Sequence, residues 1–185
     1  MTLKRWPVIF SNRDLSYGIF SIRTDRARSP RTQEEHDFYI LETAPWVNVI
    51  PLTPDQEVVM IRQYRHGVQD FTLEIPGGLV EPGDTLSEAA ARELSEETGY
   101  RAETMTELGY VHPNPAIQDN RCYSFVAEGV QKVGEQSLDE KEDIEILLQP
   151  LSAIPSLIRN RAITHALVVA AFARLFMERD IHAST

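Results

Sequence analysis

The segment from Gly78 to Tyr100, GLVEPGDTLSEAAARELSEETGY, constrains this chain more than any other part of it. Thr85 and Glu88 have the T-x-x-E spacing of a capping box, in which hydroxyl and carboxylate each satisfy a backbone amide at a helix start. Ala89, Ala90 and Ala91 favour helix, and Gly99 is placed to end it. On such a helix Glu96 and Glu97 follow Glu93 by three and four positions, so the three carboxylates share a face. Leu86, Ala90 and Leu94 fall on a different, apolar face that can pack inward. Like charges at this spacing repel by about 0.2–0.5 kcal/mol per pair even when exposed. A divalent cation turns that cost into binding, and Mg2+ suits hard oxygen donors beside a phosphate. The Gly-Gly turn ahead of the helix lets the backbone approach a ligand closely and leaves the Gly77 carbonyl open to a metal. Arg92 is placed to hold a neighbouring carboxylate through paired N–H donors. Without this context, the same residues would serve as the solvated acidic face of an ordinary amphipathic helix.

The rest of the chain alternates strands with few helices. Trp6 to Phe10, Tyr17 to Arg23 and Asp37 to Thr43 carry β-branched and aromatic residues, and the charged stretch Thr24 to Glu35, with Pro30, reads as a loop. Trp46 to Leu52, Glu57 to Tyr64 and Phe71 to Ile75 follow as strands, with Pro54-Asp55 as a hairpin turn and Pro76-Gly77-Gly78 closing the last of them. Beyond the acidic helix, strands are expected at Thr104 to Val111, Cys122 to Ala127 and Ile144 to Leu148. Pro150 and Pro155 bracket the start of a short helix, and a final helix is expected from an N-cap near Thr164 to about Glu178. Strands with one helix inserted and another at the end predict an α/β fold, a mixed α/β sandwich. Its domains would be residues 1–45, a small β-strand segment, and 46–185, the main domain.

The 185 residues hold 28 acids and 18 Lys or Arg, a formal charge of −10. That balance argues against nucleic acid as a partner and against an acidic membrane surface. It leaves room for a small phosphorylated ligand, since bound cations reverse the local field. Residues 78–100 hold six acids and one base, and residues 135–145 hold another six acids and one base. The rest of the chain is neutral, so the whole excess lies in the acidic helix and in one later loop. Cys122 is the only cysteine, which excludes an intrachain disulfide and points to a reducing, cytoplasmic setting. The N-terminal residues lack the apolar stretch of a signal peptide, and the longest apolar run, Ala166 to Met177, is broken by Arg174 and shorter than a bilayer span.

The run G-x5-D-x7-R-E-L-x-E-E-x-G-Y from Gly78 to Tyr100 resembles the Nudix box of the Nudix hydrolases. Two positions depart from the usual pattern: Asp84 stands where Glu is common, and Tyr100 where an aliphatic residue is usual. The resemblance implies an α/β/α sandwich and hydrolysis of a diphosphate linked to another group, with Mg2+ or Mn2+. By that likeness Glu93 and Glu97 are metal ligands, Glu96 binds a second ion or a metal-bound water, the Gly77 carbonyl completes the shell, and Arg92 orients a carboxylate. Metals in such a site neutralise the diphosphate, acidify a bound water and align it for in-line attack.

The flanks resemble one branch of the family, the ADP-ribose and nucleoside diphosphate sugar pyrophosphatases. The resembling segments are Arg62-Gln63-Tyr64-Arg65-His66-Gly67, Leu73-Glu74-Ile75-Pro76-Gly77-Gly78 and Pro115. Arg65 and Arg62 are candidate phosphate ligands, because guanidinium donors match phosphate oxygens. Glu74 is placed to bind a ribose hydroxyl, to support the metal loop, or to make a purely structural hydrogen bond. A general base is expected from the acidic loop Asp139-Glu140-Lys141-Glu142-Asp143, with Glu140 first by position and Glu142 second. Trp46 and Tyr17, and beside them Trp6 and Phe71, are candidates for stacking on a nucleobase. The resemblance also implies a homodimer, built through the N-terminal strands. Two other readings stand beside this one: hydrolysis of dinucleoside polyphosphates or an RNA pyrophosphate end, and a non-catalytic nucleotide-sugar sensor suggested by Asp84.

Overall fold

A computed structural model describes residues 3–183. The chain forms two compact units, one of residues 3–44 with His112–Arg121, the other of residues 45–111 with 122–183.

The first unit is an antiparallel sheet of β1 (Val8–Ser16), β2 (Phe20–Arg28) and β3 (Glu35–Thr43), in that order. Here the sequence expectation needs correcting. The stretch expected as a loop over residues 24–35 is strand as far as Arg28, and the turn is confined to 29–34, where Ser29 N–H donates to the Glu34 carbonyl at 2.8 Å. The charges are cross-strand partners: Arg26 sits opposite Asp37 and bonds it at 2.8 and 3.0 Å, and Arg28 sits opposite Glu35 at 2.7 Å. The first strand likewise begins at Val8 and runs through Asn12, Arg13 and Asp14 instead of ending at Phe10. Arg13 and Arg23 both pair with Glu42, holding its carboxyl down at about 2. Residues 112–121 lie along β3, with Leu41 N–H donating to the Ile117 carbonyl at 2.7 Å. Val8, Phe10, Leu15 and Tyr39 remain exposed on this sheet.

The second unit is built on β4 (Trp46–Leu52), β5 (Glu57–Arg65), β6 (Asp70–Glu74), β7 (Gly77–Leu79), β9 (Thr104–Val111), β10 (Cys122–Glu128) and β12 (Ile144–Pro150). The sheet order is β12-β5-β4-β10-β9, with β4 and β10 parallel and the other pairs antiparallel. A small ribbon pairs β8 (Tyr100–Arg101) with β11 (Gln131–Lys132). Strands β4 and β5 share only the Leu52–Val58 position before they diverge. The chain from β6 to β7 fills the opening: β6 continues along β5, and β7 pairs with β4 through Asn48–Gly77 and Trp46–Leu79. The Pro-Gly-Gly segment is therefore a strand start as well as a turn.

Helix α1 (Leu86–Thr98) covers one face of the sheet, where Val47, Val49, Val59, Phe125 and Ala127 meet Ala89, Ala90 and Leu94. The alternate residues Ile50, Leu52, Val58, Met60 and Val126 face the other way. They pack on Ile154 of α2 (Ile154–Arg159) and on Val168, Ala171, Phe172 and Leu175 of α3 (Ala166–Ala183). The result is the α/β/α sandwich expected from the sequence. Helix α3 begins after His165, whose carbonyl accepts from Val169 N–H at 3.1 Å, so the cap lies one residue past Thr164. No described helix is long and apolar enough to cross a membrane.

The capping box forms as expected. Glu88 N–H donates to the Thr85 hydroxyl at 3.2 Å, and Thr85 N–H donates to the Glu88 carboxylate at 2.8 Å. Gly99 ends the helix at φ 72°, a left-handed conformation that favours glycine. Replacing Thr85 by Ala is expected to lower unfolding stability by about 1 kcal/mol, as read by urea titration of the metal-free protein.

Candidate active site

Pro76-Gly77-Gly78 and α1 define the site together. Gly77 N–H donates to Oε2 of Glu97 at 2.9 Å, which fixes the last helix carboxylate against β7. A Cβ on Gly77 would come within 2.9 Å of the Asn48 Cα, and closer still to the Val47 carbonyl. A Cβ on Gly78 would lie 2.5–2.7 Å from the carboxyl carbon and oxygens of Glu93. Gly77 is thus set by close approach to the backbone of a neighbouring strand, and Gly78 faces the Glu93 carboxylate.

Arg92 is the hub of the acidic face. Its Nη1 donates to Glu93 at 2.9 Å and Glu96 at 3.0 Å, its Nε to Asp84 at 3.3 Å, and its Nη2 to the Leu79 carbonyl at 3.1 Å. The shorter Asp84 side chain still reaches Arg92. Glu93 and Glu97 are buried, while Glu96 is half-exposed. Burial pushes the Glu97 carboxyl up to about 8; the Gly77 amide opposes this, the charges of Glu93 and Glu142 add to it, and Arg65 opposes it. Burial also raises Glu93, against the pull of Arg92.

Arg65 reaches this field from the end of β5. Its Nε and Nη2 donate to the two oxygens of Glu74, each at 2.7 Å, and the Thr72 hydroxyl donates to Glu74 as well. Glu74 is only 3% exposed, so it meets the site through Arg65 and presents no free carboxylate to a ribose. Glu142 is half-buried, and its charge acts on Glu93, Glu97 and Arg65, whereas Glu140 is exposed at the neighbouring turn. The structure thus gathers Gly77, Arg92, Glu93, Glu96, Glu97, Arg65, Glu74 and Glu142. It separates Arg62, which lies on the opposite face of β5, pairs with Glu145 at 2.5 Å and covers the Phe71 ring at 5.9 Å. Trp46, by alternation with Val47, lies on the sheet face away from α1. Tyr17 and Trp6 belong to the first unit, Tyr17 against Phe20 and Trp6 against Phe38. His66 packs edge-on against Tyr64. One residue beside the cluster had no signal in the sequence: His165, with Nε2 3.8 Å from Glu74.

The sequence profile of the NUDIX domain matches residues 42–172. The chain belongs to the Nudix family of hydrolases. An ADP-ribose pyrophosphatase of Bacillus subtilis (strain 168) is 30% identical over 138 residues, 74% of this chain and 75% of that protein. A methanol dehydrogenase activator of Bacillus methanolicus is 32% identical over 136 residues, 73% of this chain and 74% of that one. The crystal structure of an ADP compounds hydrolase superposes with a TM-score of 0.84 over 100% of both chains, at 21% identity, which is a likeness of fold.

Nudix hydrolases generally use divalent metal ions, and the donor set here fits one. Glu93, Glu96 and Glu97 are hard oxygen donors, and two of them are buried, which raises their proton affinity. Among the described residues, no three His, Cys, Asp or Glu side chains converge as a metal-holding group. Glu93 and Glu96 turn to Arg92 instead, and Glu97 turns to the Gly77 amide.

The raised carboxyl of Glu97 has a pH signature. With a folded value of about 8 against an ordinary 4.5, the native metal-free protein binds more protons than the unfolded chain between these limits, so stability falls as pH rises through that window. Glu97→Gln keeps an acceptor for Gly77 N–H and removes the charge. The variant is expected to be more stable than the parent at pH 8.5 by on the order of a few kcal/mol, with the gap closing near pH 5, as read by thermal unfolding in chelator.

Proposed function

We propose that this Nudix pyrophosphatase hydrolyses the diphosphate of ADP-ribose or a related nucleoside diphosphate sugar, with Mg2+ as cofactor and Mn2+ as a substitute. Water adds across the P–O–P bond; one phosphorus keeps the new hydroxyl, and the other leaves as the second monoester. The products are a nucleoside monophosphate and a sugar phosphate. The observation that carries the reading is the pairing of opposite charges on one side of the sheet. A guanidinium, Arg65, is held by a buried carboxylate within the field of Glu97 and Glu142. A diphosphate needs both: a cation-binding set on one side and a fixed donor on the other. The names of the related proteins support an ADP-containing substrate.

In this reading Glu93, Glu97 and the Gly77 carbonyl hold metal, and Glu96 holds a second ion or a metal-bound water. When bound, the metal neutralises the diphosphate and acidifies a water. Arg92 spaces the carboxylates, and Arg65 binds a phosphate with Glu74 behind it. Glu142 is the general base in preference to Glu140, because its charge is felt by both buried glutamates. The contact of Asp84 with Arg92 supports a working enzyme over a sensor.

The test is turnover of a panel of nucleoside diphosphate sugars and dinucleoside polyphosphates with Mg2+. ADP-ribose or a close relative is expected to lead, with Glu97→Gln lowering kcat by on the order of 10²–10³-fold and Glu142→Gln by about 10²–10⁴-fold. Glu140→Gln is expected to stay within about twofold. Tight binding without hydrolysis by the parent protein would sink the enzyme reading.

We also propose a homodimer in a reducing, cytoplasmic setting. Its support is the three-stranded first unit, which leaves Val8, Phe10, Leu15 and Tyr39 exposed, together with buried Cys122. Light scattering at micromolar concentration is expected to return twice the chain mass; a monomer mass would count against it.

A further inference from the structure

The donors around Glu74 are unequally shared between its two oxygens. Oε1 accepts from Nε of Arg65 and from the Thr72 hydroxyl, whereas Oε2 accepts, among the described residues, from Nη2 of Arg65. Nε2 of His165 stands 3.8 Å from that same Oε2, just beyond hydrogen-bond reach. His165 occupies the cap position of α3, where its carbonyl accepts from Val169 N–H. The adjoining turn is tied to the sheet by Asn48 Nδ2, which donates to the Leu167 carbonyl at 3.3 Å, and Asn48 itself pairs with Gly77. The imidazole is therefore held by the same framework that sets the Gly77 strand.

The orientation of the ring follows from its other nitrogen. His165 Nδ1 is sealed from solvent and has no hydrogen-bond partner among the described residues. A ring N–H at that position would be a buried donor without an acceptor, which costs more than an unpaired lone pair. That leaves Nε2, 3.8 Å from Glu74, as the ring nitrogen placed to donate.

Arg65 meets a phosphate through Nη1 while its Nε and Nη2 stay on Glu74, so a slip of Glu74 carries the guanidinium with it. The Glu74 side chain is only 3% exposed, so a second donor at Oε2 has to come from the protein. We propose that His165 is a positioning residue for Arg65. Its Nε2, 3.8 Å from Oε2, closes onto that oxygen when a bound phosphate pulls on the guanidinium, so that Glu74 stays in place and Arg65 keeps its aim. The inference rests on the reading of Arg65 as the phosphate-binding cation.

The experiment is a double-mutant cycle on ADP-ribose hydrolysis with Mg2+, using His165→Ala, Arg65→Ala and the pair, with thermal unfolding of each. His165→Ala is expected to raise KM about three- to tenfold with kcat within about twofold. In the Arg65→Ala background the same change is expected to add nothing. His165→Gln, whose amide N–H extends toward Glu74, is expected to restore most of the lost KM. His165→Asn, with its amide short of Glu74, is expected to behave like Ala and replaces it in the cycle if His165→Ala does not fold. Equal effects of the His165 change in both backgrounds would overturn the proposal, as would an unchanged KM in His165→Ala while Arg65→Ala raises it. An unchanged KM in Arg65→Ala would overturn the phosphate reading itself, and this proposal with it.

Discussion

The contact between the Gly77 amide and the Glu97 carboxylate is the constraint from which the rest of the site follows. It joins the last turn of α1 to a strand only three residues long. That strand exists because β4 and β5 separate after a single shared position and leave an opening for it. A side chain at residue 77 would collide with the β4 backbone, and one at residue 78 would collide with Glu93. The two glycines are the means by which a helix bearing carboxylates is brought against the sheet, with two of those carboxylates buried.

That arrangement is electrostatically unfavourable in the metal-free protein. Buried carboxylates near one another raise each other's proton affinity, and Glu97 receives one backbone amide where its charge calls for more. Arg92 offsets part of the repulsion by bonding Glu93 and Glu96 on one terminal nitrogen. Arg65 approaches from the other side but is committed to Glu74. In the proposed function, the remaining deficit of positive charge is what a cation and its phosphate ligand meet, and stability is given up where binding energy is required.

The same logic organises the second acidic segment. Residues 135–145 carry as large an acidic excess as the helix segment. Glu142 from that loop bears on both buried glutamates, and Ser137 N–H donates to the Glu96 carbonyl at 2.8 Å. Gln136 bonds the Glu97 and Ile144 carbonyls, tying the loop to the end of α1. Only part of that segment joins the helix, since Glu145 turns to Arg62 on the other face of β5.

Helix α1 was fully legible in the sequence, because its determinants lie within a few residues of one another: Thr85 with Glu88, Glu93 with Glu97, Gly99 at the end. The α/β class was legible too, from strands with one helix inserted and another at the end; β4, β5 and β10 proved to be apolar on both faces. The N-terminal strands were read too short because Arg26 and Arg28 look like loop residues until Asp37 and Glu35 stand opposite them. Arg65 stood first and Arg62 second as phosphate candidates, and the sides of the sheet to which they point separate them. Glu140 and Glu142 differed only by position until the loop was folded onto α1, and His165 had no local pattern at all. The sequence by itself determined the helix, its caps and its acidic face, because those interactions span one or two turns. The tertiary structure decided which other charges face that helix, because such contacts join residues dozens of positions apart and depend on the split in the sheet that admits β7.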